Sequence, residues 1–164
     1  MNVQPDPVGA GQESVWAYPR PAIAEATTRH LMIVHCGVTV AETRRGFRTL
    51  ETSHPPTYYF PPDDVAATIL PSGREKSFCE WKGYAQPLDV IVGRDRLVGA
   101  AWMYSAPTAG FGPLQDHIAF YAAPFDACLV DGEKVTPQPG GFYGGWITSD
   151  LAGPFKGIAG SRFW

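Results

Sequence analysis

Between Arg29 and Thr43 the chain reads "RHLMIVHCGVTVAET", two short apolar and β-branched runs on either side of Cys36 and Gly37. A glycine free to take positive φ between two such runs predicts a β-hairpin that turns at those two residues. "FRTLE" extends the hairpin as a third strand after the "RRG" turn, and "TYYF" is extended because prolines on either side disfavour helix. In "PPDDVAATIL", Pro62 offers a rigid first turn and Asp63 and Asp64 place negative charge near an N-terminus, which predicts one or two helical turns. Further on, "SFCEWKG" precedes "YAQPLDVIVG", where Leu88, Val90 and Val92 share one face, and Gly93 to Asp95 turn the chain into "RLVGAAWMYSA". Pro87 cannot donate to a strand ladder, so it belongs at an edge or a bulge. "DHIAFYA" and "DACLV" follow, and Asp131 with Gly132 makes a tight turn into "EKVTP". The pattern predicts an all-β domain of eight or nine short strands with one short helix.

Composition narrows this picture. The chain has 164 residues, enough for one domain with a self-sufficient core, and its 18 Gly and 16 Pro fit a turn-dense design better than long helices. Residues 1–12, polar and rich in Gly and Pro, read as a flexible N-terminal arm, and 13–164 as a single domain whose aromatic and glycine-rich segment 140–164 is laid across the core. A net charge of −3 with scattered Lys and Arg gives no basic stripe, so no nucleic-acid partner is expected. The start "MNVQPDPVGAGQES" lacks the basic and apolar regions of a secretory signal. No apolar run approaches the roughly 20 residues of a membrane helix, so a cytoplasmic protein without a membrane partner is expected. Cys36, Cys79 and Cys128 are odd in number and widely spaced, which suits reduced thiols better than a disulfide framework.

The stretches "ESVWAYPRPA", "GVTVAET", "LETSHPPTYYFPPDDV", "CEWKG" and "AAWMY", in this order and at these spacings, resemble the DUF427 family, a bacterial group of small domains without an established function. "GFYGGWITSD" and "GPFKG" are similar to the C-terminal segment of many single-domain members, so the resemblance covers nearly the whole chain from Glu13. It implies a β-tent fold, similar in outline to methionine sulfoxide reductase B and other Mss4-like domains, in which two antiparallel sheets meet around a pocket. Many of those relatives carry paired Cys-x-x-Cys zinc knuckles, for which this sequence has no two cysteines close enough. The family also travels under a nucleotidyltransferase-like label. Here no Gly-Ser is followed by Asp-x-Asp, no G-x-x-x-x-G-K-[ST] cradles phosphates, and no G-x-G-x-x-G follows a strand, so a nucleotidyltransferase-like activity stands only as a lesser alternative.

Candidate chemistry concentrates in "ETSHPPTYYFPPDDV" and "CEWKG". Glu51 and His54 are close enough to serve as acid and base or to orient one another by a hydrogen bond. The plainer alternative is a His54 that caps a loop and a Glu51 paired with an arginine. Tyr58 and Tyr59 point to opposite faces of an extended segment, so one packs in the core while the other lines a pocket, and both remain candidates. Cys79 and Trp81 share one side of "CEWKG", with Glu80 and Lys82 on the other. Cys79 is a nucleophile only with a cation or histidine beside it, which His54 or Lys82 supplies if the fold brings them together; otherwise it is a small buried hydrophobe. Lys82 suits an anion or a carboxylate, set against a plain solvated lysine. Trp102 and Tyr104 share a face with Ala100 and offer ring walls for a flat ligand, or simply core packing. Trp146 closes over such a site or acts as a lid on the sheet. His30 and His35 face opposite ways on one strand and His117 has no partner nearby, so no metal site is expected short of long-range assembly, and no cofactor.

The sequence therefore points to a cytoplasmic β-tent-like domain with an aromatic-walled pocket for a small polar or anionic metabolite. Glu51, His54 and Cys79 are the catalytic candidates, and Tyr58, Tyr59, Trp81, Lys82, Trp102, Tyr104 and Trp146 the ligand contacts. Acid–base work by Glu51 and His54 on a carbonyl or phosphate-like group, with Lys82 balancing charge, is the least strained reaction, and thiol chemistry at Cys79 the next. The competing reading is a non-catalytic interaction or scaffold module, with exposed strand edges that would support a homodimer.

Overall fold

The structure, a computed structural model, describes residues 2–164. The described residues are all-β: sixteen strands and three short 3-10 helices at Val15–Ala17, Pro62–Asp64 and Ala109–Leu114. The strand count exceeds the eight or nine expected partly because five strands are only two residues long and carry no readable alternation. Among the described residues no helix is long and apolar enough to cross a membrane.

Leu31–His35 and Val38–Thr43 form the expected antiparallel hairpin. Its two turn residues, Cys36 and Gly37, have φ of 50° and 71°, the paired positive values that match the twist of the flanking strands. Asp131 and Gly132, at 50° and 83°, repeat the device between Ala127–Val130 and Glu133–Lys134. These elements make a four-stranded sheet in the order Glu133–Lys134, Ala127–Val130, Leu31–His35, Val38–Thr43.

Gly46–Leu50 does not extend the hairpin. It leaves the small sheet at the "RRG" turn and enters an eight-stranded sheet between Ile23–Thr27 and Thr57–Phe60. Gly46 permits the crossing, because a Cβ there would stand 2.8 Å from the Tyr59 carbonyl and 2.9 Å from Leu31 Cδ1. The large sheet continues through Ile118–Phe120, Asp95–Met103, Gly83–Val92 and Thr68–Pro71, with Ser77–Cys79 also paired to Gly83–Val92. Along the outer side of Gly83–Val92, residues 83–85 pair with Ser77–Cys79 and residues 88–91 with Thr68–Pro71. Pro87 falls in the gap between these partners, where its missing N–H leaves no ladder bond unmade.

Leu31, Ile33 and Val40 from the small sheet pack against Tyr58, Phe60, Leu88, Val90 and Phe120 from the large one, and all are essentially inaccessible. Each such side chain contributes about 1.5–3 kcal/mol by leaving water. The space between the sheets is thus filled by side chains. On the opposite face of the large sheet, Tyr59, Tyr104, Leu114 and Ala119 form a second buried cluster.

The segment after Gly140 is laid down by strand pairing. Trp146–Ile147 pairs with Thr136–Pro137, and Leu151–Ala152 runs parallel to Glu13–Ser14. Asp6 and Gln12 touch the same segment: the Asp6 N–H donates to the Gly153 carbonyl at 2.8 Å and Gln12 Nε2 to the Ser149 carbonyl at 3.0 Å.

Candidate functional site

The outer face of the large sheet, turned away from the main core, carries a cleft of about 720 Å³. Strand register decides what stands on its floor. Trp102 pairs with Ala119, and Ala119 with Tyr59, so these three side chains form one row across three strands, with the small Ala119 between two rings. Tyr104, two residues on, joins them, its ring 6.5 Å from that of Tyr59. The Trp102 indole lies against Tyr121, with ring centroids 4.6 Å apart. It also presses on the backbone at Gly144, where a Cβ would stand only 2.1 Å from the indole.

One wall is the 51–55 loop. Thr52 N–H donates to the Pro19 carbonyl, Ser53 N–H to that of Val15, and the Ser53 carbonyl accepts from Lys156 N–H at 2.9 Å. So fixed, the loop turns Glu51 and His54 toward the cleft, with Glu51 Oε2 2.9 Å from His54 Nε2. Behind them lies Gln138, 4 % exposed, whose Oε1 accepts from Gly145 N–H. That bond fixes the amide: its Nε2 donates to the Lys156 carbonyl and to His54 Nδ1, at 2.9 and 3.0 Å. Nδ1 is therefore an acceptor, and the imidazole proton sits on Nε2 and points at Glu51. Burial works to raise the Glu51 pKa, but the His54 hydrogen bond, with the charges of Lys82 and Arg20, brings it below the ordinary glutamate value. The Tyr143 ring stands edge-on to His54 at 4.7 Å.

The opposing wall is the "CEWKG" turn, made possible by Gly83 at φ 103°. Thr108 clamps it, its N–H donating to the Lys82 carbonyl at 3.1 Å and its hydroxyl to that of Trp81 at 2.5 Å. Lys82 is partly exposed to the cleft, while protein closely surrounds its ammonium, which stands 5.7 Å from the Tyr104 ring centroid. Among the described residues no carboxylate oxygen comes within 4.0 Å of that ammonium. Burial works to lower its pKa, but Tyr59, Cys79 and Glu51 raise it overall, so it stays protonated. The Tyr59 hydroxyl is fully buried and meets no hydrogen-bond criterion among the described residues, although Lys82 lies beside it. Burial first, then Tyr59 and Cys79, push the Tyr104 phenol far above its ordinary range, which keeps it neutral.

Of the residues singled out from sequence, Glu51, His54, Cys79, Trp81, Lys82, Trp102 and Tyr104 all line this one cleft. Tyr59 lies beneath its floor. Tyr58 is on the inner face, packed on Trp146 with centroids 5.5 Å apart, and Trp146 is 1 % exposed with its indole N–H donating to the Phe120 carbonyl at 3.0 Å. Those two belong to the core, because register turns Tyr58 inward and the paired strand at Trp146–Ile147 carries the indole with it. The cleft also differs from a pocket between two sheets, since it lies outside the larger one. Gln138, Tyr143, Tyr121 and Arg74 were missed. Gln138 stands in "TPQPG", a stretch with no local sign that its amide would be buried against a histidine 84 residues away.

Comparison with curated proteins gives no match. A family model described as "Domain of unknown function (DUF427)" matches residues 23–131, which include both walls around Glu51 and Lys82 and leave Gln138, Tyr143 and Lys156 outside. With well over half of its length matched, the chain belongs to the DUF427 family.

Proposed function

We propose that the cleft binds a small metabolite, with a carboxylate or phosphate-like group beside Lys82 and a flat portion against Trp102 and Tyr104. Lys82 carries this reading: its ammonium is enclosed, protonated and without a carboxylate at ion-pair distance. An enclosed unpaired charge is costly in the empty protein, and an anion entering from the cleft neutralises it. Arg74 is a second cation on the cleft wall. Glu51, ionised and aimed by His54, is placed to act as a base toward a carbonyl or phosphate-like group, with Lys82 to stabilise the negative charge that develops. Cys79, next to Tyr104 and Lys82, offers thiol chemistry as the subsidiary route. All three cysteines are free, so a reducing, cytoplasmic location belongs to the same reading.

Tryptophan fluorescence titrated with benzoate, inorganic phosphate and neutral benzamide tests it. Saturable responses to an anion, a much weaker response to benzamide, and loss of the difference in Lys82→Met are expected. Equal responses to benzoate and benzamide, or none to either anion, would sink the reading.

A second reading, an interaction module, has one observation in its favour: Phe78, Val98 and Phe142, which line the cleft, are exposed, and Phe78 pairs with an exposed Tyr84 at 5.1 Å. It requires concentration-dependent self-association in light scattering, reduced by Phe78→Ser with Tyr84→Ser.

A further inference from the structure

The hairpin tip at Cys36 meets two loops from distant parts of the chain. His35 Nε2 lies 3.1 Å from Oδ2 of Asp95, at the turn between Gly83–Val92 and Asp95–Met103, and the Cys36 N–H donates to Asp126 Oδ2 at 2.7 Å. The His35 side chain is 9 % exposed, and its Nδ1, inaccessible, makes no hydrogen bond among the described residues. Asp126 Oδ1, 3.6 Å away, is the group that Nδ1 faces. One donor atom from each of His35, Cys36 and Asp126 lies within 4.8 Å of the others. None of these residues lines the cleft.

We propose that His35, Cys36 and Asp126 bind a divalent transition ion of the zinc class, with Asp95 orienting the histidine from behind. The Nε2–H bond to Asp95 fixes the tautomer and leaves the Nδ1 lone pair directed at Asp126, the carboxylate–histidine–metal arrangement found behind metal-bound imidazoles. Imidazole nitrogen, thiolate sulfur and carboxylate oxygen together suit a borderline ion that accepts tetrahedral geometry, and not magnesium or calcium. Three protein donors leave a fourth position, which faces solvent because Cys36 and Asp126 are exposed. Access is direct for the same reason. The Cys36 thiol donates to Asp95 Oδ2 at 3.4 Å; on binding, that S–H proton leaves to solvent and a metal–sulfur bond takes its place. The ion would join the hairpin of the small sheet to the loop ahead of Ala127–Val130, and through Asp95 to the large sheet. The sequence could not show this, since the spacing of His30 and His35 excludes a site on one strand while the carboxylates come from positions 60 and 91 residues beyond His35.

Chelator-treated protein titrated with Co²⁺ tests the site by absorption, and Zn²⁺ tests it by thermal melting. One ion per chain is expected, with a thiolate-to-cobalt charge-transfer band, tetrahedral visible bands and a rise in Tm with Zn²⁺. Cys36→Ser, a change at an exposed position, should fold, lose the charge-transfer band and lose the Zn²⁺ effect on Tm. Asp95→Asn should keep the band and weaken binding about 10- to 100-fold. A parent protein that shows neither the band nor the Tm rise overturns the proposal. So does a band that persists unchanged in Cys36→Ser, which would assign the thiolate to Cys79 or Cys128.

Discussion

His54 Nε2 lies 2.9 Å from Glu51 Oε2, while Gln138 holds Nδ1 of the same ring at 3.0 Å. With both nitrogens engaged, His54 orients Glu51, and the carboxylate is the group of the pair left to meet a ligand.

His54→Phe keeps a ring in that place and removes the donor, so burial dominates and the Glu51 pKa rises. In the parent protein the folded value is depressed below the unfolded one. Glu51 therefore contributes stability that is present above the unfolded value and lost as pH falls through the folded value. The variant should lose that contribution and unfold at higher pH on acidification, and Glu51→Gln should flatten the same part of the profile. Urea midpoints measured across the carboxylate range check this; profiles for parent and His54→Phe that run parallel would count against the pairing.

Lys82→Met separates binding from folding. Methionine keeps an unbranched apolar stem, and the ammonium it replaces has no carboxylate at ion-pair distance, so the variant should fold with a loss of no more than about 1 kcal/mol. Its response to phosphate should vanish, and its response to benzoate should fall to that of benzamide. A variant that unfolds outright would mean that Lys82 supports the "CEWKG" turn structurally.

The hairpin turns at Cys36–Gly37 and Asp131–Gly132 were legible because paired positive φ is a local demand that glycine and its neighbour announce. The cleft residues were legible as types: a carboxylate beside a histidine, and rings alternating along "AAWMY". Which ring faced where was not, because a strand's faces differ by one residue and register is set by partners far away in the chain. Tyr58 and Tyr59 differ by that single step, and only the pairing of Tyr59 with Ala119 and Phe47 decides between them. The exit of Gly46–Leu50 into another sheet was hidden for the same reason, since it depends on the Tyr59 carbonyl and Leu31 crowding Gly46.

Trp146 and Gly144 separate core from cleft. Trp146→Ala removes a fully buried indole packed on Tyr58 and Phe60 and should cost about 3–5 kcal/mol in urea unfolding. Gly144→Ala brings a methyl group into the Trp102 indole and should cost about 1–3 kcal/mol by overpacking. It should also displace Trp102 and weaken benzoate binding, read in one fluorescence titration. A Gly144→Ala protein with parental stability and binding would show that the indole moves aside freely.

Tyr59→Phe is the sharpest test of what the floor of the cleft is for. The phenol is buried, and its oxygen meets no hydrogen-bond criterion among the described residues, although Lys82 lies beside it. An unsatisfied buried hydroxyl costs about 1–3 kcal/mol, so removing it should leave stability unchanged or raise it. If the hydroxyl is held in reserve for the anion that Lys82 attracts, the same change should weaken phosphate or benzoate binding several-fold while thermal stability holds or improves. Opposite signs for the two measurements mark a group kept for a ligand at the expense of the empty fold. A loss of stability with unchanged binding would mark a structural hydroxyl whose partner is a water.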